Sequence, residues 1–292
     1  MNKANCQRSG CRPNLFVIGA MKSGTTSLHN YLKHHPEVFM SEPKELWYFV
    51  EEKNWFRGEQ WYLSHFRDAG GARVIGESSA DYTMYPVYQG VPEKLHAFNP
   101  DARLVYLMRD PVARAISHYW YDVRTGFEKR PIATAIFGEP KYVDFSNYAM
   151  QLKHYLQLFS RDQIYIETFE EMVRQPVAVV KAILGWLGLD PELYCPEGAN
   201  KSYNASPEVI EQVRGMGWLH AFRHSRLWDY LHPLAPGALI RMGRRLGYRR
   251  LDKSKATPPE VVNYLRAQLR QPAADLSVLL NRDFTEWNSI KQ

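Results

Sequence analysis

The segment LFVIGAMKSGTTSLHNYL, residues 15–32, constrains the fold more than any other part of the chain. Leu15 to Ile18 is a short apolar run of the kind that forms a buried strand, and beyond Gly24 the residues Leu28, Tyr31 and Leu32 recur at helical spacing. Strand, glycine-bounded turn and helix in that order aim a helix N-terminus at an anion. The backbone N–H groups of Ser23, Gly24, Thr25, Thr26 and Ser27, with their hydroxyls, converge at the positive end of the helix dipole, an arrangement suited to a phosphate. Gly19 and Gly24 keep the glycine spacing of a nucleotide-triphosphate P-loop, in which a lysine and then a Ser or Thr follow the second glycine. Here Thr25 and Thr26 follow it, and the lysine, Lys22, lies inside the loop. Phosphate binding survives this change; the standard magnesium and terminal-phosphate contacts do not. An isolated SGTTS reads as a helix cap, but the strand before it, the helix after it and the enclosed lysine favour phosphate binding.

The remaining sequence alternates strand-like and helical runs, the pattern of a central parallel sheet flanked by helices in an α/β fold. Strands are expected at residues 15–18, 73–76, 103–108 and 163–167. Helices are expected at 25–34, 59–66, 88–98, 111–124, 146–159 and 176–187. From Ser206 to Gln292 the chain reads as a helical C-terminal appendage with no convincing strand. With 292 residues, 45% of them hydrophobic, the chain can bury a large core. The expected organisation is a flexible arm over residues 1–13 and a single domain over 14–292. No apolar stretch approaches the roughly 18 residues of a membrane span, and the N-terminus lacks the apolar core of a signal peptide, so cytoplasm is the default. Three cysteines, Cys6, Cys11 and Cys195, are too few for a disulfide framework and lack zinc spacing; the first two fall in the arm. A formal charge of +6 implies an anionic partner.

A second constellation lies in LVYLMRDPVARAISHYW, residues 104–120. Asp110 is a good N-cap and Pro111 a favoured first helical residue, so Arg109 stands at the carboxyl end of a strand, the edge where ligands bind in open α/β sheets. Ser117, about two helical turns on, lies near enough to the same rim to join Arg109 on one anion. A surface pairing of Arg109 with Asp110 is the competing reading. Two anion-binding junctions in one sheet suggest a ligand phosphorylated at two separated points.

These residues resemble the P-loop-like sulfotransferases that use 3′-phosphoadenosine 5′-phosphosulfate (PAPS), in particular the carbohydrate branch typified by heparan sulfate sulfotransferases and their bacterial relatives. GAMKSGTTSL is similar to the loop that binds the 5′-phosphosulfate, and LMRDPVARAISHY to the strand and helix that bind the 3′-phosphate. The resemblance implies that Lys22 and residues Ser23 to Ser27 hold the 5′ end and that Arg109 and Ser117 take the 3′-phosphate. Lys22 would then lie by the oxygen bridging phosphorus and sulfur, where charge grows as the sulfuryl group leaves. It also implies that Glu45 in SEPKELWYF is the general base, for which desolvation by Trp47, Tyr48 and Phe49 is the physical rationale, with Lys44 acting in the opposite direction. His29, His34 and His35 are the rival bases, read as structural or exposed. No metal is required, and the product is adenosine 3′,5′-bisphosphate.

The match departs from the family at GESSADY, where Ser78 stands in place of a lysine and Ala80 in place of a proline. The family's basic C-terminal loop has only a loose counterpart in LDKSKATPPEVV, which makes Lys253 and Lys255 the candidate cofactor contacts there. DLSVLLNRDFTEW looks like the family's closing helix. The basic stretch 240–255 suits a polyanion or membrane surface, or a solvated helical face. The aromatic run around Trp47 suits either an acceptor or the core. The expected function is transfer of a sulfuryl group from PAPS to a hydroxyl or amine of a carbohydrate, glycolipid or natural product, with no nucleic-acid partner. A P-loop nucleotide-dependent kinase and a non-catalytic polyanion-binding protein are the alternatives.

Overall fold

A computed structural model describes residues 11–196, 209–213, 248–252 and 257–291. The chain divides into two compact units, one of Met1–Ala115, Lys141–Ala205 and Leu265–Gln292, the other of Ile116–Pro140 and Ser206–Tyr264.

The first unit is built on a five-stranded parallel sheet with strand order β2-β3-β1-β4-β5. The strands are β1 (Leu15–Gly19), β2 (Val38–Met40), β3 (Val74–Ser78), β4 (Arg103–Met108) and β5 (Ile164–Thr168). Leu15 faces Gly76 on one side and Arg103 on the other, so β1 is the centre of the sheet. Its residues are buried on both faces, which is why the strand reads as an unbroken apolar run. Alternation along β1 and β4 divides the core in two. Phe16, Ile18, Leu104, Tyr106 and Met108 enter one layer, which also holds Tyr62 of α2 (Gly58–Ser64), Leu95 of α3 (Val91–Phe98) and Leu152 of α7 (Tyr148–Leu156). Leu15, Val17, Val105 and Leu107 enter the other, against Leu28 and Leu32 of α1 (Thr25–Leu32) and Val180, Ile183 and Leu184 of α9 (Pro176–Trp186). The chain runs from β1 toward β2 and β3 on one side, then crosses to β4 and β5 on the other. The loops after β1 and β4 are therefore neighbours at the switch point of the sheet, where open α/β folds take their ligands.

The remaining α-helices among the described residues are α4 (Pro111–Thr125), α5 (Ile132–Gly138), α6 (Lys141–Asp144), α8 (Phe169–Arg174), α10 (Pro259–Leu280) and α11 (Asn288–Lys291). In the second unit the rings of Phe137 and Tyr264 meet edge to face at 4.8 Å, and the buried His118 and Asp122 pair one turn apart on α4. A two-stranded antiparallel ribbon, β6 (Val209–Val213) with β7 (Tyr248–Asp252), lies in the stretch expected to hold no strand. That expectation is corrected: the pairing joins segments far apart in sequence, which no local periodicity reveals.

Three further differences have local causes. β2 was not expected; it is three residues long and draws its order from pairing Val38–Met40 with Val74–Gly76. The helix expected over DLSVLLNRDFTEW stops at Leu280, where Asn281 turns left-handed at φ 48°, and Phe284 and Trp287 pack into the core from the segment beyond. Of the arm expected over 1–13, Cys11 is buried and Arg12 donates to the Phe98 carbonyl, so residues 11–13 are part of the folded unit.

Candidate active site

The loop after β1 is shaped by two left-handed residues. Gly24 has φ 88°, and a Cβ there would come within 2.5 Å of Met172 Cε and 2.9 Å of Phe169. Lys22 has φ 71°, a conformation that costs a non-glycine residue about 1 kcal/mol and recurs where loops clamp ligands. Ala20 N donates to the Leu107 carbonyl at 2.6 Å, tying the loop to β4, and Ser23 N closes a turn on Ala20 at 3.1 Å. No side chain caps α1, so its first-turn N–H groups face the loop without a side-chain acceptor. The Ser23 hydroxyl is fully buried, makes no hydrogen bond of ordinary geometry and lies beside the Tyr148 hydroxyl. A buried, unsatisfied donor beside an uncapped helix N-terminus fits an anion.

Arg109 follows β4 and reaches this loop: its Nη1 lies 3.4 Å from the Lys22 carbonyl, and its guanidinium stands 4.8 Å over the Phe169 ring. Tyr148 holds its backbone at both ends, accepting from Arg109 N at 3.2 Å and donating to Arg109 O at 2.7 Å. Arg109 makes no ion pair with Asp110, whose carboxylate instead caps α4 at Val112 N and Ala113 N. Glu170 accepts from Asp110 N at 3.0 Å; burial pushes its carboxyl above the usual range, outweighing the pull of Arg109. Ser117 lies on α4 in the second unit. Lys253 and Lys255 lie outside the described residues.

Glu45 is half-buried and bound to Lys44 Nζ at 2.6 Å, while the same ammonium reaches Thr25 Oγ1 at 3.3 Å. Lys44 thus ties the Glu45 carboxylate to the loop after β1. The aromatic run that was expected to desolvate Glu45 is largely core. Tyr48 stacks on Tyr62 at 4.3 Å, and Phe49 is enclosed by Phe16, Tyr62, Tyr82 and Phe98.

Two acids beside this segment escaped the sequence reading. Asp81 pairs with Lys53, whose ammonium also lies 4.4 Å from the Trp47 ring; burial raises the Asp81 carboxyl above its ordinary value. Glu77 is fully buried and accepts hydrogen bonds from Tyr62 at 2.9 Å, Tyr82 at 2.7 Å and Ser79 at 2.9 Å. Burial pushes its carboxyl up to about 7 against those three donors. The Ser79 oxygen in turn accepts from Leu46 N and Trp47 N, so Glu77 anchors the chain immediately after Glu45.

Among the histidines, His29 is buried with Nδ1 2.9 Å from Ser78 Oγ, and desolvation, with Lys33 and Lys44 nearby, pushes it down to about 3. Ser78 thus points to His29 at the position of the family's lysine. His35 Nδ1 accepts from Glu37 N, which leaves Nε2 to donate to the Asp190 carbonyl at 3.0 Å, a structural role. Among the described residues no cluster of three or more His, Cys, Asp or Glu is placed to hold a metal, and no helix is long and apolar enough to cross a membrane.

The chain is similar to known proteins in sequence and in fold. The chain is similar to the membrane-associated sulfotransferase kil1 of Dictyostelium discoideum, 37% identical over 117 residues that cover 39% of this chain and 24% of that protein. It is also similar to heparan sulfate glucosamine 3-O-sulfotransferase 5 of Homo sapiens, 25% identical over 62% of this chain and 55% of that one. The chain thus spans between 24% and 55% of the length of these two relatives. The solved sulfotransferase from Alicyclobacillus acidocaldarius shares its fold with a TM-score of 0.66 at 26% identity, covering 95% of this chain and 99% of the other. The family model described as "Sulfotransferase domain" matches residues 12–207, which hold the loop, Glu45 and Arg109, and the chain belongs to that family.

Proposed function

We propose that this protein is a PAPS-dependent sulfotransferase acting on a hydroxyl or amine of a carbohydrate, glycolipid or hydroxylated natural product. The observation that carries the reading is the uncapped loop of residues 19–24 with the Arg109 guanidinium beside it, two anion-binding elements at one sheet edge. PAPS supplies the activated sulfuryl group. Ser23 to Ser27 and Lys22 hold its 5′ end, and Arg109 with Ser117 takes the 3′-phosphate; Lys253 and Lys255 are the remaining candidate contacts. Glu45 accepts the acceptor's proton as the acceptor oxygen or nitrogen bonds to sulfur. Lys22 stabilises the negative charge that gathers on the departing phosphate oxygen as the sulfur–oxygen bond breaks. Lys44 fixes the Glu45 carboxylate against the loop through Thr25. The relatives' names favour a carbohydrate acceptor. A cytoplasmic location, and contact of residues 240–255 with a membrane or polyanion, belong to the same reading.

Calorimetry tests the cofactor assignment. Adenosine 3′,5′-bisphosphate should bind far more tightly than AMP, and Arg109→Ala should remove most of the difference, since truncating one partner of a buried charge pair costs about 2 to 5 kcal/mol. Equal affinities in the unaltered protein would sink the assignment. Turnover with PAPS should be indifferent to EDTA, and Lys22→Ala should lower kcat about 10² to 10³-fold. Phosphoryl transfer from ATP that stops on chelation would favour the kinase.

A further inference from the structure

Asp110 is the acid nearest to Arg109 in sequence, yet its carboxylate is engaged elsewhere. Oδ1 accepts from Val112 N and Ala113 N, both at 3.1 Å, and from the Ser289 hydroxyl; Oδ2 accepts from Ser289 N at 2.9 Å. A carboxylate offers about four acceptor positions, and four donors surround this one, three on Oδ1 and one on Oδ2. Two come from the first turn of α4. The other two come from one residue 179 positions later in the chain. Arg109, in consequence, makes no ion pair with a described residue.

The same C-terminal segment supports Arg109 from behind. Trp287 is almost fully buried, stacks on Phe284 at 4.1 Å and packs at 5.7 Å against Tyr148, the residue that holds both backbone ends of Arg109. Arg266 Nε donates to the Ser289 carbonyl at 2.9 Å and fastens the segment to α10. The family match ends at residue 207, so these contacts come from a part of the chain that the family model does not cover.

We propose that the C-terminal segment 284–289 completes the anion site, with Ser289 and Trp287 as positioning residues that keep the Asp110 carboxylate off Arg109 and hold Arg109 toward the loop. The proposal rests on the assignment of Arg109 to the 3′-phosphate. When the Ser289 hydroxyl is absent, the Asp110 carboxylate loses one of its four donors, and Arg109 is the cation next to it in sequence. The acid then competes with the ligand for the same cation.

The test is calorimetry on the full chain with adenosine 3′,5′-bisphosphate and with AMP, together with a thermal melt. Ser289→Ala should lower the preference for the bisphosphate about tenfold, the worth of one hydrogen bond to a charged group, while AMP affinity and melting temperature stay near those of the unaltered protein. Ser289→Thr, which keeps the hydroxyl, should retain the preference. Adding Asp110→Asn to Ser289→Ala should restore it, because asparagine still caps α4 but carries no charge. A Ser289→Ala protein that keeps the full preference overturns the proposal, as does a loss that Asp110→Asn leaves uncorrected. Absence of any preference in the unaltered protein is a separate result: it removes the Arg109 assignment itself, and the proposal falls with it.

Discussion

Replacing Glu77 by glutamine isolates the electrostatics beneath the candidate base. In the folded protein Glu77 is enclosed by Tyr62, Tyr82 and Ser79, and burial pushes its carboxyl from 4.5 to about 7. Because the folded-state value is raised, the folded chain binds more protons than the unfolded chain between those limits. The stabilisation is complete below pH 4.5 and is lost as pH rises through 7. A rise of this size corresponds to about 3 kcal/mol in all, most of it lost between pH 5 and pH 8. Glu77→Gln has no charge to bury, so its stability should lack this component. Urea unfolding followed by tryptophan fluorescence, run on both proteins at the two pH values, reads the difference directly. The unaltered protein should lose about 2 to 3 kcal/mol more than the variant on going from pH 5 to pH 8. Parallel pH profiles would show that the three hydroxyl donors offset the cost of burying the charge, and the reasoning would fail.

Two other substitutions probe the loop and the base. Glu45→Gln should lower turnover about 10² to 10⁴-fold while leaving adenosine 3′,5′-bisphosphate affinity near normal; near-normal turnover, with a collapse in His29→Gln, would move the role to the histidine. Gly24→Ala should weaken nucleotide binding and reduce stability by about 1 to 3 kcal/mol, because φ 88° and the contacts with Met172 and Phe169 leave no room for a methyl group. Unchanged melting temperature and affinity would show that the loop yields without cost.

The sequence exposed those parts of the fold whose signals are local. β1, the loop after it and α1 were legible because an apolar run, two glycines at fixed spacing and a helical apolar pattern occur within 18 consecutive residues. Arg109 was legible for the same reason, at the end of a β-rich run before Asp-Pro. β2 was not, since three residues carry no period, and the β6–β7 ribbon was not, since its order comes from a distant partner. The aromatic run after Glu45 left core and ligand readings open; packing of Tyr48 and Phe49 assigns those two to the core, whereas Trp55 and Phe56 are exposed. Glu77 was passed over because burial of an acid cannot be read from its neighbours in sequence. The three hydroxyls that make that burial tolerable lie two, five and fifteen residues away.

Trp287 and Phe284 also bear on the order in which the chain acquires its structure. Both belong to the same apolar layer as Phe16 and Leu104, and the first unit reclaims Leu265–Gln292 after releasing the chain at Ala205. A ribosome that has made β1 to β5 has therefore not yet supplied the indole that covers Tyr148. Domains generally consolidate as units during synthesis, and contacts of large sequence separation form late because closing the loop costs entropy. The sheet edge that carries Arg109 should thus stay open in the nascent chain until residues 284–287 clear the exit tunnel. Ribosome-stalled chains ending at residue 280 should be cleaved by protease where the released 292-residue chain resists.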